Sequence, residues 1–480
     1  MSDLCLPPGR PLVGRAAVPG DKSITHRALL LGALATGVSR IEAPLLGGDT
    51  RATLSCLRAL GVVVEEQAGA HPALVVHGCG LQGLCPPAGP LDCVRSGTTM
   101  RLLTGILAGQ PFTSVLTGDP QLRRRPMGRV AEPLGQMGAA IQTSAGHAPL
   151  TIHGQKGQAG RPLRSGVHTL SVASAQVKSA LLLAGLYADG PTTVREPGPA
   201  RDHTERMLVA MGTRLEVQGP TITLHAPAAL SPLRMRVSGD LSAAAFLLVA
   251  ALLVPGSAVT IERVGLNPTR TGLLEVLRAM GAELAWEVEG EEGGEPVGWV
   301  TARTSRLHRT VVGSAPLVSG PSPASRSLGA ASAQARLANA DGATVVRMID
   351  EFPILAVAAT QAQGRTVVRE AAELRLKETD RIATVAAELN KLGARIEVLP
   401  DGFTVEGPTP LRGTTVESHG DHRVAMALAV AGLVAEGRTV VQDTDCIADS
   451  FPGFSGWMAE LREGPCEGPS QGPTSSETRT

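Results

Sequence analysis

The stretch Arg27–Gly37, RALLLGALATG, is an apolar run of small and branched side chains that ends in glycine. Its length suits a buried helix and is too short to cross a bilayer, and glycine commonly follows the end of a helix. Similar runs recur along the chain, beginning near Met100, Lys178, Ala243, Pro353 and Val424. Six copies of one pattern predict a protein built from repeats.

Each apolar run opens a longer unit. A β-branched strand pattern follows it, then a polar loop, an amphipathic segment ending in Leu-Gly or Met-Gly, and another strand pattern, as in KLGARIEV and QMGAAIQT. We therefore predict six helix–strand–helix–strand units, three in each of two similar globular α/β domains, with a boundary near 237–240. Helix N-termini facing a cleft between two such domains would attract anions.

Two segments depart from the repeat pattern. The interval between the fourth and fifth runs is longer than the other four, and the excess falls in a stretch rich in Ser, Ala, Gly and Pro at about 313–343. Because such a composition cannot bury a core, we predict a disordered insertion there and a disordered tail at 464–480.

The composition argues against several classes of partner. Lys plus Arg and Asp plus Glu balance at 44 each, and aromatic residues are only 2% of the chain, so neither a global positive field nor stacking platforms favour nucleic acid. The seven cysteines form no C-x-x-C pair, as expected of reduced thiols. The first residues lack the charged and apolar regions of a signal peptide, so we expect a soluble, cytoplasmic protein that binds no membrane.

Charged residues cluster where polar loops meet the starts of the apolar runs. Arg and Lys bind phosphate and carboxylate, and Ser23 stands where the first helix is predicted to begin. Asp350, Glu378 and Asp380 are acid and base candidates among these cations. Each cluster alone is more often a solvated helix end, but recurrence at equivalent positions favours one shared anion site. The clusters lie at 19–27, 94–101, 122–127, 172–178, 200–206, 348–353, 374–381 and 420–426.

The same segments carry a family resemblance. In chain order they read PGDKSITHR, SGTTMRL, RRPM, SAQVK, RDHTE, NPTRTG, IDEFP, KETDR and DHRVAM. This set closely resembles the 3-phosphoshikimate 1-carboxyvinyltransferase (5-enolpyruvylshikimate-3-phosphate synthase) family, class II, over about residues 8–463 apart from the insertion. The resemblance implies the enolpyruvyl transferase fold, of inside-out α/β barrel type, with 1–21 plus 240–463 as one domain and 22–239 as the other.

The resemblance also implies a reaction and its substrates. The family transfers the enolpyruvyl group of phosphoenolpyruvate to the 5-hydroxyl of 3-phosphoshikimate, toward chorismate and the aromatic amino acids. We expect two small-molecule substrates, no cofactor, no metal and a monomer. The implied contacts with 3-phosphoshikimate are Lys22, Ser23, Arg27, Ser174, Ala175, Gln176, Arg201, Asp350 and Lys377. Those with phosphoenolpyruvate are Lys22, Gly97, Arg125, Gln176, Arg381 and Arg423.

Catalytic roles follow from the same resemblance. Asp350 is expected to act as the base toward the 5-hydroxyl. Glu378 is expected to transfer the proton at C3 of phosphoenolpyruvate, with Lys22 as its partner or competitor. The arginines would orient both substrates and stabilise charge.

Two residues depart from the family pattern. Arg95 stands where the family usually has the Asn of GNSGTT, and Asp449 stands where many relatives have a Lys near the phosphate. We therefore expect altered geometry and one fewer cation in the phosphoenolpyruvate pocket. Two alternatives stay open: UDP-N-acetylglucosamine enolpyruvyl transferase, although residues 118–127 lack the Cys of that enzyme, and a non-catalytic repeat protein that binds anions.

Overall fold

The computed structural model describes residues 2–69, 72–154, 162–313, 339–340 and 342–463. The predicted tail at 464–480 lies outside the described residues, and so does most of the predicted insertion at 313–343. Most repeats in the described ranges contain the predicted helix–strand–helix–strand order, followed by one further strand that the sequence pattern did not predict.

The first half of the chain contains three repeats, preceded by two strands. In chain order its elements are β1 (Leu4–Leu6), β2 (Val13–Ala17), α1 (Lys22–Leu34), β3 (Thr36–Glu42), α2 (Gly48–Ala59), β4 (Val63–Gln67), β5 (Ala73–Cys79), β6 (Leu91–Asp92), α3 (Gly97–Ala108), β7 (Ser114–Thr117), α4 (Pro120–Arg123), α5 (Gly128–Gln136), β8 (Ala140–Ser144), β9 (His147–His153), β10 (Gly166–Thr169), α6 (Ala175–Gly185), β11 (Thr192–Arg195), α7 (His203–Ala210), β12 (Leu215–Gln218), β13 (Thr221–Leu224) and β14 (Arg234–Arg236).

The second half contains the other three repeats. Its elements are α8 (Leu241–Leu253), β15 (Ala258–Gly265), α9 (Gly272–Ala279), β16 (Glu283–Glu292), β17 (Glu295–Arg303), β18 (Val311–Val312), β19 (Asn339–Ala340), α10 (Gly342–Arg347), α11 (Phe352–Gln361), β20 (Gly364–Val368), α12 (Arg381–Lys391), β21 (Arg395–Leu399), β22 (Gly402–Gly407), β23 (Thr415–Glu417), α13 (His422–Val434), β24 (Thr439–Gln442) and α14 (Phe454–Glu463), with 3₁₀ turns at Ala372–Leu376 and Thr444–Asp449.

The described strands form six sheets, one for each predicted repeat, and each sheet mixes parallel with antiparallel pairs. In the first sheet β3 pairs antiparallel with β5 and parallel with β14. The N-terminal strands belong to the later repeats, since β2 pairs with β15 and β1 pairs with β24. The strand orders are β14-β3-β5-β4, β6-β7-β9-β8, β10-β11-β13-β12, β16-β17-β15-β2, β19-β18-β20-β22-β21 and β1-β24-β23.

One long apolar helix packs against each sheet. These helices are α1, α3 and α6 in the first half and α8, α11 and α13 in the second. Nearly all of their side chains are buried, as expected for helices that are apolar around the whole circumference.

The start of α1 differs from the prediction. The helix begins at Lys22, and Asp21 rather than Ser23 caps it, with its Oδ1 accepting from the Ile24 N–H at 2.9 Å.

Glycine does not cap most of these helices in the way that the sequence pattern suggests. Helices α1, α8, α11 and α13 end at extended residues, and glycine follows two positions after each cap. Glycine adopts positive φ readily because it has no Cβ, so it occupies the positive-φ position at or near the start of the strand that follows each helix. The four glycines are Gly37, Gly256, Gly364 and Gly437, with φ of 120°, 79°, 94° and 84°.

Two hydrophobic clusters form the core. One consists of buried residues between Ile24 and Val237. The other combines buried residues from 241 to 458 with four from the N-terminal segment, Leu6, Leu12, Ala16 and Val18. The chain therefore passes between the clusters twice, near residue 21 and near residue 239.

Two further observations concern membrane-spanning helices and the state of the cysteines. None of the helices in the described ranges is long and apolar enough to cross a bilayer. The six cysteines in those ranges are free thiols.

Candidate active site

A cavity lies where the starts of the six apolar helices meet. Both halves of the chain contribute to its walls, because three of these helices come from each half. The partial positive charge of a helix N-terminus attracts anions. The lining residues at or just before these starts are Lys22 and Ser23 of α1, Gly97 of α3, Ala175 of α6, Asp240 before α8, Asp350 before α11 and His422 of α13.

Positive charge is concentrated in this cavity although the whole chain is balanced. Nine Lys and Arg side chains line it against six Asp and Glu side chains, which suits substrates with several negative charges. Among the described residues, no group of three or more His, Cys, Asp or Glu side chains could hold a metal ion. The nine cations are Lys22, Arg101, Arg125, Arg129, Arg201, Arg270, Lys377, Arg381 and Arg423.

Asp350 is surrounded by cations from both halves. Arg201 Nη2 donates to its Oδ2 at 2.5 Å, and Arg381 Nη1 donates to its Oδ1 at 3.2 Å. Arg423 Nη2 lies 3.5 Å from Oδ2. Burial by itself would raise the pKa of Asp350, but the surrounding cations, Arg423 foremost, hold it well below its usual value. The carboxylate is therefore ionised and able to accept a hydrogen bond from a bound hydroxyl.

Glu378 joins the two halves across the cavity. Arg125 Nη1 donates to its Oε1 at 3.3 Å, and Arg381 Nη2 donates to its Oε2 at 2.7 Å. Burial would raise the pKa of Glu378, but the charges of Arg381 and Arg125 hold it well below its usual value. An anion bound to the same two arginines would offset their charge and so raise the pKa of Glu378 toward that of a proton donor.

Arg381 is a rigidly held cation. Its Nε donates to Asp421 Oδ2 at 2.8 Å, and Asp421 also caps α13 by accepting from the Arg423 N–H at 2.9 Å. Burial would lower the pKa of Arg381, but Asp421 and the other carboxylates beside it raise it above its usual value. The guanidinium thus stays charged at every working pH.

Lys22 and Ser23 enter the cavity from the first turn of α1. Lys22 Nζ lies 3.1 Å from Asp49 Oδ2, which the second residue of α2 supplies. Ser23 Oγ accepts from Arg201 Nη1 at 3.4 Å. The first turn of α1 is therefore linked both to its neighbouring helix and to an arginine that contacts the second half.

Gly97 leaves room for two guanidinium groups. A Cβ at this position would lie 2.8 Å from Arg125 Nη1 and 2.9 Å from Arg101 Nη1. Arg101 Nη1 donates to Gln176 Oε1 at 2.5 Å, and Gln176 Nε2 donates to Thr98 Oγ1 at 2.9 Å. The glycine therefore permits the close packing of donors along this wall.

Lys377 is a lining cation that can lose its charge. Burial lowers its pKa to about 8, Asp350 acts in the opposite direction, and Arg381 lowers it further. Its ammonium group is thus sensitive to pH just above neutrality.

Comparison with known proteins identifies the family. A family model described as EPSP synthase (3-phosphoshikimate 1-carboxyvinyltransferase) matches residues 6–309 and 327–458. The chain belongs to the EPSP synthase family. The break in the match, between 309 and 327, overlaps the segment predicted as an insertion.

Individual members of the EPSP synthase family match almost the whole chain. The 3-phosphoshikimate 1-carboxyvinyltransferase of Desulforamulus reducens is 46% identical over 461 residues, which cover 96% of this chain and 99% of that protein. The one from Pelotomaculum thermopropionicum is 49% identical over 463 residues, with coverage of 96% and 99%. A solved structure of EPSP synthase from Acinetobacter baumannii matches with a TM-score of 0.79 at 39% identity, covering 96% of this chain and 98% of that chain. The predicted family and fold are confirmed.

All but one of the residues predicted for the EPSP synthase site line the cavity. The exception is Arg27, which is buried one turn into α1. Its Nη1 donates to the Ser23 carbonyl at 3.1 Å, and its other nitrogens donate to Thr204 Oγ1 at 2.8 Å and Ser179 Oγ at 2.9 Å. The acid candidate Asp380 also lies outside the lining, where it caps α12.

The two departures from the EPSP synthase pattern meet each other. Arg95 Nη1 lies 3.9 Å from Asp449 Oδ2, and Arg95 Nε lies 3.4 Å from Asp119 Oδ2. Asp449 packs over Gly48, where a Cβ would lie 2.2 Å from the Asp449 Oδ1. Neither Arg95 nor Asp449 lines the cavity, so the charge change lies beside the pocket and not in its wall.

Sequence reasoning missed several charged lining residues. Arg101, Arg270 and His422 lie inside recognised motifs, but nothing local distinguishes a lining side chain from a neighbour that points away. Asp49 lies outside those motifs, and the GGDT segment that opens α2 is the signal that could have indicated it. Burial lowers the pKa of His422 well below its usual value, so its imidazole is neutral in this cationic site.

Proposed function

We propose that this chain transfers the carboxyvinyl group of phosphoenolpyruvate to the 5-hydroxyl of 3-phosphoshikimate. The products are 5-enolpyruvylshikimate-3-phosphate and phosphate, in chorismate and aromatic amino acid biosynthesis. The observation that carries the proposal is the cavity in which six helix starts and nine cations surround Asp350 and Glu378. Anion binding alone needs only the cations, whereas two carboxylates placed among them suit proton transfer.

Each substrate has its own set of contacts in this proposal. The 3-phosphoshikimate contacts Ser23, Ser174 and Arg201 in the first half and reaches Asp350 and Lys377 in the second. The phosphoenolpyruvate contacts Gly97, Arg125, Arg381 and Arg423, and Lys22 and Gln176 touch both molecules. Arg27 acts through the Ser23 backbone that it holds. The common position of the other residues on the cavity wall supports this arrangement.

The proposed reaction is an addition followed by an elimination. Asp350 accepts the proton of the 5-hydroxyl while that oxygen attacks C2 of phosphoenolpyruvate, and Glu378 delivers a proton to C3. The tetrahedral intermediate then loses phosphate, and Glu378 takes back a C3 proton as the double bond reforms. Lys22 and the arginines orient the anions and stabilise charge. Phosphoenolpyruvate bound at Arg125 and Arg381 would raise the pKa of Glu378 and so prepare it as the donor.

Phosphate release from phosphoenolpyruvate tests the proposal. Release is expected with 3-phosphoshikimate as the acceptor and not with UDP-N-acetylglucosamine. Release with UDP-N-acetylglucosamine alone would favour the other enolpyruvyl transferase. Folded protein that binds both anions without releasing phosphate would favour a non-catalytic anion-binding protein.

The role of Asp350 has its own test. Asp350→Asn should lower kcat by about 10²–10⁴-fold, whereas the affinity for 3-phosphoshikimate should hold, because the amide leaves Arg201 and Arg423 free to bind anions. Asp380→Asn is the matched control, since Asp380 caps α12 outside the cavity lining. Equal losses of kcat and binding would show that Asp350 only binds the substrate and does not act as the base.

We also propose the organisation and location of the protein. The domains are 1–21 plus 240–463 and 22–239, which the two separate hydrophobic clusters and the pairing of β2 with β15 support. The chain is a cytoplasmic monomer that does not bind nucleic acid, consistent with 44 basic and 44 acidic residues. Light scattering during gel filtration tests the monomer, and limited proteolysis tests the domain boundaries.

A further inference from the structure

Arg270 is a buried cation that the proposed reaction does not use. It lies in the NPTRTG segment at 267–272, between β15 and α9, and its side chain is 4% exposed. It reaches the cavity wall from the second half of the chain. A charge buried to this extent needs partners, because leaving it unpaired is costly.

The partners of Arg270 are the two segments that connect the halves. Its Nη1 donates to Asp21 Oδ2 at 2.8 Å, and its Nη2 donates to Asp240 Oδ1 at 2.9 Å. The backbones of these crossovers also pair, since the Asp21 N–H donates to the Ser238 carbonyl at 2.8 Å and the Asp240 N–H to the Pro19 carbonyl at 2.9 Å. One guanidinium group thus holds both crossovers side by side.

Both crossover carboxylates also cap helices. Asp21 caps α1, and Asp240 caps α8 by accepting from the Ser242 N–H at 2.8 Å. Both are buried. Lys22 directly follows Asp21, so Arg270 contacts the residue that caps α1 and precedes Lys22.

A second path of contacts leads from Arg270 toward Asp350. The Nη2 atom of Arg270 also donates to Ser242 Oγ at 2.6 Å, and Ser242 Oγ donates in turn to Glu351. Glu351 is 2% exposed and adjoins Asp350 in the chain. One cation is therefore connected to the residues next to both Lys22 and Asp350.

We propose that Arg270 is a positioning residue that holds the two crossovers against each other. It thereby keeps the side chains of Lys22 and Asp350 at fixed positions relative to each other across the cavity. This role rests on the function proposed above. A planar guanidinium suits it because its donors can reach two carboxylates at once, whereas a lysine ammonium is a compact charge without that fixed geometry.

Arg270→Lys tests the role because it keeps the positive charge but removes the planar guanidinium group that reaches two carboxylates at once. We expect kcat per folded molecule to fall about 10- to 100-fold, because small misplacements of reacting groups lower the rate by about this factor. The affinity for 3-phosphoshikimate alone, from titration calorimetry, should fall much less than kcat, because Ser23, Ser174 and Arg201 all come from one half and keep their contacts. Loss of stability with unchanged kcat per folded molecule would show a merely structural role and overturn the proposal.

Arg206→Lys is the matched control. Arg206 also bridges the halves, donating from Nε to Asp202 at 2.9 Å and from Nη1 to the Gly294 carbonyl at 2.8 Å. The described contacts of Arg206 include neither crossover, and it does not line the cavity. Its kcat should match that of the unsubstituted protein. A loss of kcat as large as that of Arg270→Lys would show that any broken contact between the halves has this effect. That result would overturn the role proposed for Arg270.

Two further measurements complete the test. Added guanidinium ion should restore part of the kcat of Arg270→Ala, since it can occupy the space between Asp21 and Asp240, and folded protein without rescue would count against the role. If Arg270→Lys does not fold, Ser242→Ala is measured instead, and an unchanged kcat there overturns the proposal. If the unsubstituted protein is inactive, the proposed function is refuted. If the unsubstituted protein and Arg270→Lys are both fully active, only the role of Arg270 is refuted.

Discussion

Asp449→Lys should weaken the binding of phosphoenolpyruvate, although it adds a cation next to an anion site. The family resemblance implies a lysine at this position, and a change that only added this positive charge would be expected to tighten the binding of phosphoenolpyruvate. However, Arg95 Nη1 lies 3.9 Å from the Asp449 carboxylate. A lysine there would face a like charge, and the contact between the two loops would become repulsive.

The magnitude follows from the exposure of the pair. The side chains of Arg95 and Asp449 are 45% and 24% exposed, so water screens their interaction. Pairs of this kind contribute about 0.2–1 kcal/mol. Replacing attraction by repulsion changes the free energy by about twice that amount, so about 1 kcal/mol is a central value. This corresponds to about a fivefold change in affinity.

A double-mutant cycle measures the coupling. The KM and Kd of phosphoenolpyruvate are compared for the unsubstituted protein, Asp449→Lys, Arg95→Asn and the double variant. Asp449→Lys should weaken binding about fivefold, and the double variant should recover it because asparagine removes the repulsion. Glu289→Lys makes the same charge change on an exposed residue of β16 and should have no effect. Additive effects without recovery, or tighter binding by Asp449→Lys alone, would contradict this prediction.

Two lysines give further predictions. Burial lowers the pKa of Lys377 to about 8, so its charge is present below that pH and lost above it. The binding of 3-phosphoshikimate should therefore weaken as the pH passes about 8, and Lys377→Arg should move that loss to higher pH in a kcat/KM profile. Lys178 is 1% exposed, with Nζ 3.0 Å from Glu196 and 2.8 Å from Glu205. Lys178→Met should cost about 3–5 kcal/mol in urea unfolding, because it leaves buried carboxylates unpaired. That cost should shrink at lower pH, since unpaired buried carboxylates bind protons more tightly in the folded state. Lys391→Met, at a half-exposed position, is the control, and an equal cost there would contradict the prediction.

The repeats made much of the fold predictable from the sequence. A helix that is buried on all sides appears in the sequence as an apolar stretch, and this stretch has a similar length in each repeat. The six apolar stretches correspond to six buried helices. The pairing of β2 with β15 was not visible in the pattern. Strand partners distant in the chain are chosen by packing between elements, and a period of two residues carries no information about which partner that is.

The site was predictable as a set of segments but not as a set of contacts. Anionic substrates need cations at helix starts, and the segments that carry the motifs come together around one cavity. Arg27 is the predicted site residue that does not line this cavity. It shares a motif with Lys22 and Ser23, but it lies four residues after Ser23 in the helix, on the same side and one turn further in. From there its guanidinium reaches the Ser23 carbonyl instead of the cavity.

Arg95 and Asp449 show a second limit, because their effects on the site are not independent. They are far apart in the chain, so sequence comparison counts two separate departures, one a gain of positive charge and the other its loss. Their 3.9 Å approach makes them a single contact in which the cation lies on the first half and the anion on the second. A substitution that restores only one member of the family pattern would create a like-charge contact or leave a charge without its partner. The two positions therefore have to be compared with relatives as a pair, and we expect the affinity for phosphoenolpyruvate to depend on both residues together.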